Sequence, residues 1–398
     1  MITKTASLNK LKEHLSAKTT FFLLFLGIVV FYPHFKQLIG ILMKKASAKT
    51  TATAIAKKKS AYAAAGVDID SKMQGIETIK KMVKSTKTKG VIGGIGSFGG
   101  LFASPGKDYL LVASADGVGT KLKVAAIIGK HDTVGQDIVN HCVNDILVQG
   151  ALPLFFLDYI GASKFKTEIF NNVIAGLCKA CKENGCALLG GETAEMPGLY
   201  PDDEYDLVGT IVGCVEKKKV ITGDTIKAGD VIIGLPSGGL QTNGYSLARK
   251  IIFEQCFLAP KDHLPGTNLA VGDLLLATHK SFLKPVTALM KKKIPIQGMA
   301  HITGGGFTDN IPRVLPSNVN AMIDRASWKI PALFTFLQRE GKVDIDEMYR
   351  VFNMGIGYVI IVRAKDAPKA LSILKTAKAN PVVIGEIVKG RKTVEYRN

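Results

Sequence analysis

Residues 110–121 read LLVASADGVGTK. The first four suit a short buried strand. Asp116 then stands where the strand should end, Gly117 and Gly119 follow, and Thr120 and Lys121 close the run. A strand that delivers a carboxylate into a glycine-bearing turn and then a lysine suits a metal-phosphate site. The acid holds Mg²⁺, the glycines let backbone N–H groups approach phosphate, and the lysine supplies a point charge. An acid-glycine pair is also an ordinary turn. The rest of the chain has to separate the two readings.

Residues 135–150 carry a helical pattern that places Asp137, Asn144 and Asp145 at i, i+7 and i+8. At 100° per residue the three lie within roughly 100° of one another on the helix. Among Ile138, Val139, Val143, Ile146 and Leu147 these polar groups are costly to bury without a partner, and a divalent cation is one. Surface acids near a helix start are the alternative. His141 shares that side. Strand, acidic turn and helix recur at 152–159 and at 187–198, which fits an α/β chain with its site at strand termini. A mobile glycine-rich loop, either a hairpin or a flap over phosphates, is expected at 90–106, where Gly94, Gly96 and Gly99 lie. Further glycine signals at 237–246 and 301–306 each precede a helical pattern, and helix N-termini bind anions. Residues 73–83 suit an amphipathic helix. No GxxxxGK[ST], no strand-positioned GxGxxG and no nucleophile triad is present.

The formal net charge is +19 over 398 residues, yet the lysines are scattered and Trp328 is the one tryptophan. A nucleic-acid partner would call for a basic stripe interleaved with aromatics, and none is seen. Six cysteines lack the second pair or paired histidines that zinc spacing needs. Reduced thiols fit a reducing compartment. Residues 21–32 are an apolar run of twelve, short of the roughly 20 that span a bilayer. They read as an anchor, a targeting segment or a dispensable extension, with Met43 as an alternative start. Membrane contact and organelle targeting therefore depend on whether residues 1–42 are retained. Residues 46–59 read as a linker.

In this order the segments resemble the phosphoribosylformylglycinamidine cyclo-ligase (AIR synthetase) family. The motifs are AGVDI at 65–69, DGVGTK at 116–121, CVND at 142–145, PLFFLDY at 153–159 and GGETAEMPG at 190–198. NGYS at 243–246, HITGGG at 301–306, NIPRVLP at 310–316 and FNMGIG at 352–357 complete the set.

The resemblance implies two α/β domains of the AIR-synthetase type, at 60–218 for ATP and Mg²⁺ and at 219–398 to complete the substrate groove, after an extension at 1–59. It implies a cytoplasmic homodimer whose amino-terminal sheets pair. The implied reaction takes formylglycinamidine ribonucleotide (FGAM) and ATP to 5-aminoimidazole ribonucleotide (AIR), ADP and phosphate. Asp116, Asp137 and Asp145 are then similar to Mg²⁺ ligands, supported by Asn144. Lys121, with Gly117, Gly119 and Thr120, stands as a phosphate contact, and the 90–106 loop as a flap. Glu192, Asn243, Thr303, Gly304 and Gly305 stand as substrate contacts, and His301 as a proton shuttle or hydrogen-bonding group. Ala63 and Ala64 stand where the family often has a Lys-Asp pair, and Gln241 where it often has His. Another ATP-dependent enzyme of the same fold and a membrane-tethered nucleotide-binding module are the alternatives.

Overall fold

The computed structural model describes residues 91–92, 100–104, 106–164 and 166–397, all within one compact unit. The apolar run at 21–32, the linker, Ala63 and Ala64, the helix expected at 73–83, and Gly94, Gly96 and Gly99 lie outside the described residues. Among the described residues no helix is long and apolar enough to cross a membrane.

Two six-stranded sheets organise the chain. The first contains β1 (Val91–Ile92), β2 (Gly100–Ala103), β3 (Tyr109–Gly117), β4 (Leu152–Ala162), β5 (Ala187–Glu195) and β6 (Tyr205–Glu216), in the order β1-β2-β3-β6-β4-β5. β1 and β2 pair antiparallel, so the described flanks of the glycine loop form a hairpin. Only β4 and β5 run parallel. The carboxyl-terminal sheet is β12-β9-β11-β7-β10-β8, led by β7 (Asp230–Pro236), β8 (Ile296–His301), β9 (Val319–Asp324) and β10 (Ile356–Arg363), with β11 (Val382–Lys389) and β12 (Val394–Arg397) behind them. It too is antiparallel except at β12–β9. The boundary between the sheets falls after β6, where residues 217–229 hold one short 3₁₀ turn.

Two strands outrun their expected ends. β3 continues through Asp116 and Gly117, because its antiparallel ladder with β6 extends to Gly117↔Val208. β5 continues to Glu195, because the parallel ladder with β4 carries the 190–195 segment that reads as a turn in the sequence.

Helices α1 (Lys121–Ile128), α2 (Asp132–Leu147) and α3 (Thr167–Asn184) accompany the first sheet. α2 is buried along its whole length except Asp132. It packs against β3, β4 and β6 on one side and α3 on the other. The α2–α3 crossing depends on two glycines. A Cβ at Gly135 would sit 2.2 Å from Val173 O, and one at Gly176 2.1 Å from Asp132 O. Gly176→Ala must push the helices apart, and should cost about 1–3 kcal/mol in chemical denaturation as overpacking does. An unchanged midpoint would show that the helices yield freely.

The opposite face of this sheet is part-exposed among the described residues. Along β6 the residues alternate between buried and part-exposed, and β5 is exposed over most of its length. Leu152, Leu154 and Leu189 are 44%, 44% and 64% exposed.

Candidate active site

A helix buried all round must satisfy its polar side chains inside the protein. On α2 these include Asp137, Asn140, His141, Asn144 and Asp145. They divide into two groups with different work.

The first group binds the backbone of residues 277–282, which lead from the second sheet's side of the molecule. Asp137 Oδ1 accepts from His279 N–H at 2.6 Å. Asn140 Nδ2 donates to His279 O at 2.7 Å. Asn144 Nδ2 donates to Lys280 O and its Oδ1 accepts from Phe282 N–H, each at 2.9 Å. Lys121, at the first position of α1, pairs with Asp137 at 2.6 Å and donates to Ala277 O at 2.8 Å. Both side chains of that pair are 0% exposed. Burial lowers the lysine pKa and raises the aspartate pKa, and each partner opposes the shift in the other.

This arrangement bears on three expected roles. Lys121 faces inward on Asp137 and a carbonyl, not a phosphate. Asp137 is neutralised by Lys121, and it lies two turns from Asp145, about 12 Å along the helix axis. One ion does not bridge that distance. Asn144 spends both ends of its amide on backbone. The buried polar groups did need partners, and the chain supplies them itself.

The second group is a histidine-carboxylate cluster. Asp116 is at the end of β3 with its side chain 46% exposed. Its Oδ1 accepts from Gly117 N–H at 2.7 Å, and its Oδ2 lies 2.9 Å from His141 Nε2. Asp145 Oδ2 is 3.6 Å from the same nitrogen and accepts from Ser114 Oγ at 3.1 Å. His301, the last residue of β8, turns Nδ1 onto Asp145 Oδ1 at 2.8 Å. Its Nε2 meets His279 Nε2 at 3.0 Å. His141 Nδ1 meets Thr242 Oγ1 at 2.7 Å. Burial works against a charge on His141, but Asp116 and Asp145 outweigh it and raise its pKa to about 9. Burial also works against the Asp116 carboxylate, and His141 and the Gly117 amide hold it down at about 2. Burial keeps His301 and His279 neutral, His279 the more strongly. His301 is 0% exposed, with Nδ1 on Asp145 and Nε2 on His279.

The remaining expected residues surround this cluster. Gly119 takes φ +69° with open space where a Cβ would go, so the turn stays accessible. Thr120 Oγ1 lies 3.2 Å from Ser246 Oγ, joining the 116–121 turn to the 237–246 turn. Beside it a cavity of about 500 Å³ is lined by Gly119, Thr120, Lys123, Tyr200, Tyr205 and Arg249. Asn243 lies against Gly304, whose added Cβ would be 3.0 Å from Asn243 Oδ1. Thr303 Oγ1 donates to Asn310 Oδ1 at 3.2 Å, and Gly305 has φ +98°. Glu192 stands on exposed β5 and accepts from the neighbouring Thr193 N–H at 2.8 Å. Gln241 is 1% exposed at φ +63°. His279 carries no motif of its own, and Thr242 lies within the 237–246 signal, where nothing singles it out. They enter the site through contacts more than 100 residues away in sequence.

Two family models match the chain, the AIR synthase related protein N-terminal domain over residues 96–215 and its C-terminal domain over 227–397. A phosphoribosylformylglycinamidine cyclo-ligase of Alkaliphilus oremlandii is 47% identical over 339 residues, 84% of this chain and 99% of that protein. The enzyme of the same name from Thermoanaerobacter pseudethanolicus is 52% identical over 328 residues, covering 82% and 97%. Among solved structures, a thiamine-monophosphate kinase of Stenotrophomonas maltophilia aligns at TM-score 0.56 and 18% identity, over 79% of this chain and 93% of that one. The hydrogenase maturation protein HypE in complex with ATP aligns at 0.54 and 18%, over 74% and 83%. At that identity the two structures share the fold. The chain belongs to the AIR synthase related family, and its two sheets are that family's two domains.

Proposed function

We propose that this chain is a phosphoribosylformylglycinamidine cyclo-ligase: it uses ATP to close FGAM to AIR, releasing ADP and phosphate. The observation that carries this reading is 47–52% identity to cyclo-ligases along 97–99% of their length. The step is a phosphoryl transfer followed by ring closure. The formyl oxygen of FGAM attacks the γ-phosphorus of ATP and ADP leaves. A substrate nitrogen then attacks the activated carbon, the C–O bond breaks and phosphate departs with the oxygen. An amide oxygen is a poor leaving group and phosphate a good one. The protein's work is alignment, charge stabilisation and exclusion of water.

In this reading the 116–121 turn is one wall of the ATP site. Gly117, Gly119 and Thr120 present backbone to phosphate, and Arg249 and Lys123 face the adjoining cavity. Mg²⁺ takes oxygen ligands and usually one or two carboxylates plus substrate phosphates. Asp116 fits that description, half-exposed at a strand end. Asp137 does not, being sealed against Lys121. Asp145, only 7% exposed, faces His301 and His141, so its part is to hold those rings in place behind Asp116. The ion's contribution, when bound, is to neutralise charge on the transferred phosphoryl group. Asn243, Thr303, Gly304, Gly305 and Glu192 are proposed for FGAM, with residues 60–218 serving nucleotide and 219–398 completing the groove. The six free cysteines favour a cytoplasmic setting.

The part-exposed face of the first sheet and the exposed edge strand β5 support a homodimer in which a second copy covers Leu154 and Leu189. Sedimentation of the purified protein should give twice the monomer mass. Leu189→Lys should shift it toward monomer, since a charge there cannot be buried unpaired. Monomeric wild-type protein at micromolar concentration would contradict the pairing. The reaction itself is tested by measuring ADP and AIR together, with FGAM or ATP omitted in turn.

A further inference from the structure

We propose that Cys181 and Cys186 are a dithiol that a hydroperoxide oxidises to a disulfide, and that closing this bond acts on residues 277–282 through Asn184. α3 ends at Asn184, and Gly185 follows in the left-handed region at φ +69°. Gly185 N–H donates to Lys182 O at 3.2 Å, and Cys186 N–H donates to Cys181 O at 3.0 Å. These two bonds close the helix end, in a motif that commonly sets the two residues joined by the longer-range bond in apolar contact. Here both of those residues are thiols. With the amide of one 3.0 Å from the carbonyl of the other, standard backbone dimensions hold their Cα atoms within about 7 Å, a span that a disulfide bridges. The side chains are hydrogen-bonding partners, so their Cβ vectors converge as a bridge requires.

Cys181 is 2% exposed and Cys186 9%, which admits a small oxidant such as hydrogen peroxide. The hydrogen bond from Cys181 lowers the Cys186 pKa, and the thiolate is the reactive form. The Cys186 sulfur attacks one peroxide oxygen and the O–O bond breaks. Sulfur is oxidised to a sulfenic acid, and the departing hydroxide takes the Cys186 proton as water. The Cys181 sulfur then attacks the Cys186 sulfur, the S–O bond breaks, and a second water leaves with the Cys181 proton. Two thiols and one peroxide give one disulfide and two waters. The bridge joins residues 181 and 186, and so short a loop gains little stability from a cross-link. Thiol exchange therefore reverses it. Asn184 sits between the two cysteines. Its Nδ2 donates to Asn140 Oδ1 at 2.7 Å, and its Oδ1 accepts from Ser281 Oγ at 2.6 Å. Asn140 in turn donates to His279 O at 2.7 Å. Drawing the sulfurs from contact to a bond of about 2.05 Å tightens the turn that holds this amide, and the hold on 277–282 loosens.

The test reads sulfur chemistry and amide exchange, so its outcome is separate from that of the proposed reaction. The purified full chain is treated with hydrogen peroxide, its remaining thiols are blocked with iodoacetamide, and the disulfides are mapped by mass spectrometry after digestion. A Cys181–Cys186 bridge that dithiothreitol opens is the expected result. Hydrogen exchange at 277–282 should quicken on oxidation on the order of fivefold, the scale of one weakened hydrogen bond, and return with dithiothreitol. Cys186→Ala should abolish both changes, because alanine keeps the contact apolar and removes the sulfur. Cys178→Ala, one turn earlier on α3, should leave both in place. Where Cys186→Ala fails to fold, the wild-type map and exchange decide. A bridge between Cys178 and Cys181, a sulfinic acid at Cys186 with no bridge, or unchanged exchange at 277–282 in bridged protein would overturn the proposal.

Discussion

Asp137→Ala should lower the free energy of unfolding by about 3–5 kcal/mol, because it leaves the Lys121 ammonium buried and unpaired. Neither side chain of the pair has any exposure, so water cannot replace the lost carboxylate. The variant also strips an acceptor from His279 N–H and weakens the hold on residues 277–282. Lys121→Met combined with Asp137→Leu should recover much of the loss, since a buried pair replaced by apolar side chains of similar size is often neutral. Urea denaturation of the single and double variants reads this directly. A stable Asp137→Ala protein with abolished turnover would return Asp137 to the metal site that its helix position suggests.

Asp116→Asn should do the opposite. Its side chain is nearly half exposed, so folding loses little and the melting temperature should stay within a few degrees. Turnover should fall on the order of 100–1,000-fold, the scale of losing one preorganised charged contact in a phosphoryl-transfer site. Substituting the amide removes the negative charge while keeping the shape. It also leaves His141 without its nearest carboxylate partner. A variant with near-wild-type kcat would remove Asp116 from the reaction and leave it as the cap of its own turn.

The order of the motifs was legible in the sequence, as were the two domains and the strand-turn-helix around Asp116. The helix expected at 135–150 lies at Asp132–Leu147. What the chain could not show by itself was which polar residues of α2 face which partner. Asp137 and Asp145 differ by eight positions and look alike on a helical projection, which carries angle but hides the axial distance. The partner that takes Asp137 is Lys121, read in sequence as a phosphate contact because it ends a glycine turn. The backbone that takes Asp137, Asn140 and Asn144 lies at 277–282, in a segment with no motif. His279 stayed invisible for the same reason, and His141 read as a neighbour because its carboxylate partner Asp116 comes from another element. The extents of β3 and β5 were set by ladders to β6 and β4, which no local propensity records.

The most direct test of the central claim is a coupled assay of ADP and AIR with purified protein, ATP, Mg²⁺ and FGAM. Equal amounts of ADP and AIR, with ADP release dependent on FGAM, are the expected result. ADP release that ignores FGAM, or none at all from folded protein, would contradict the assignment.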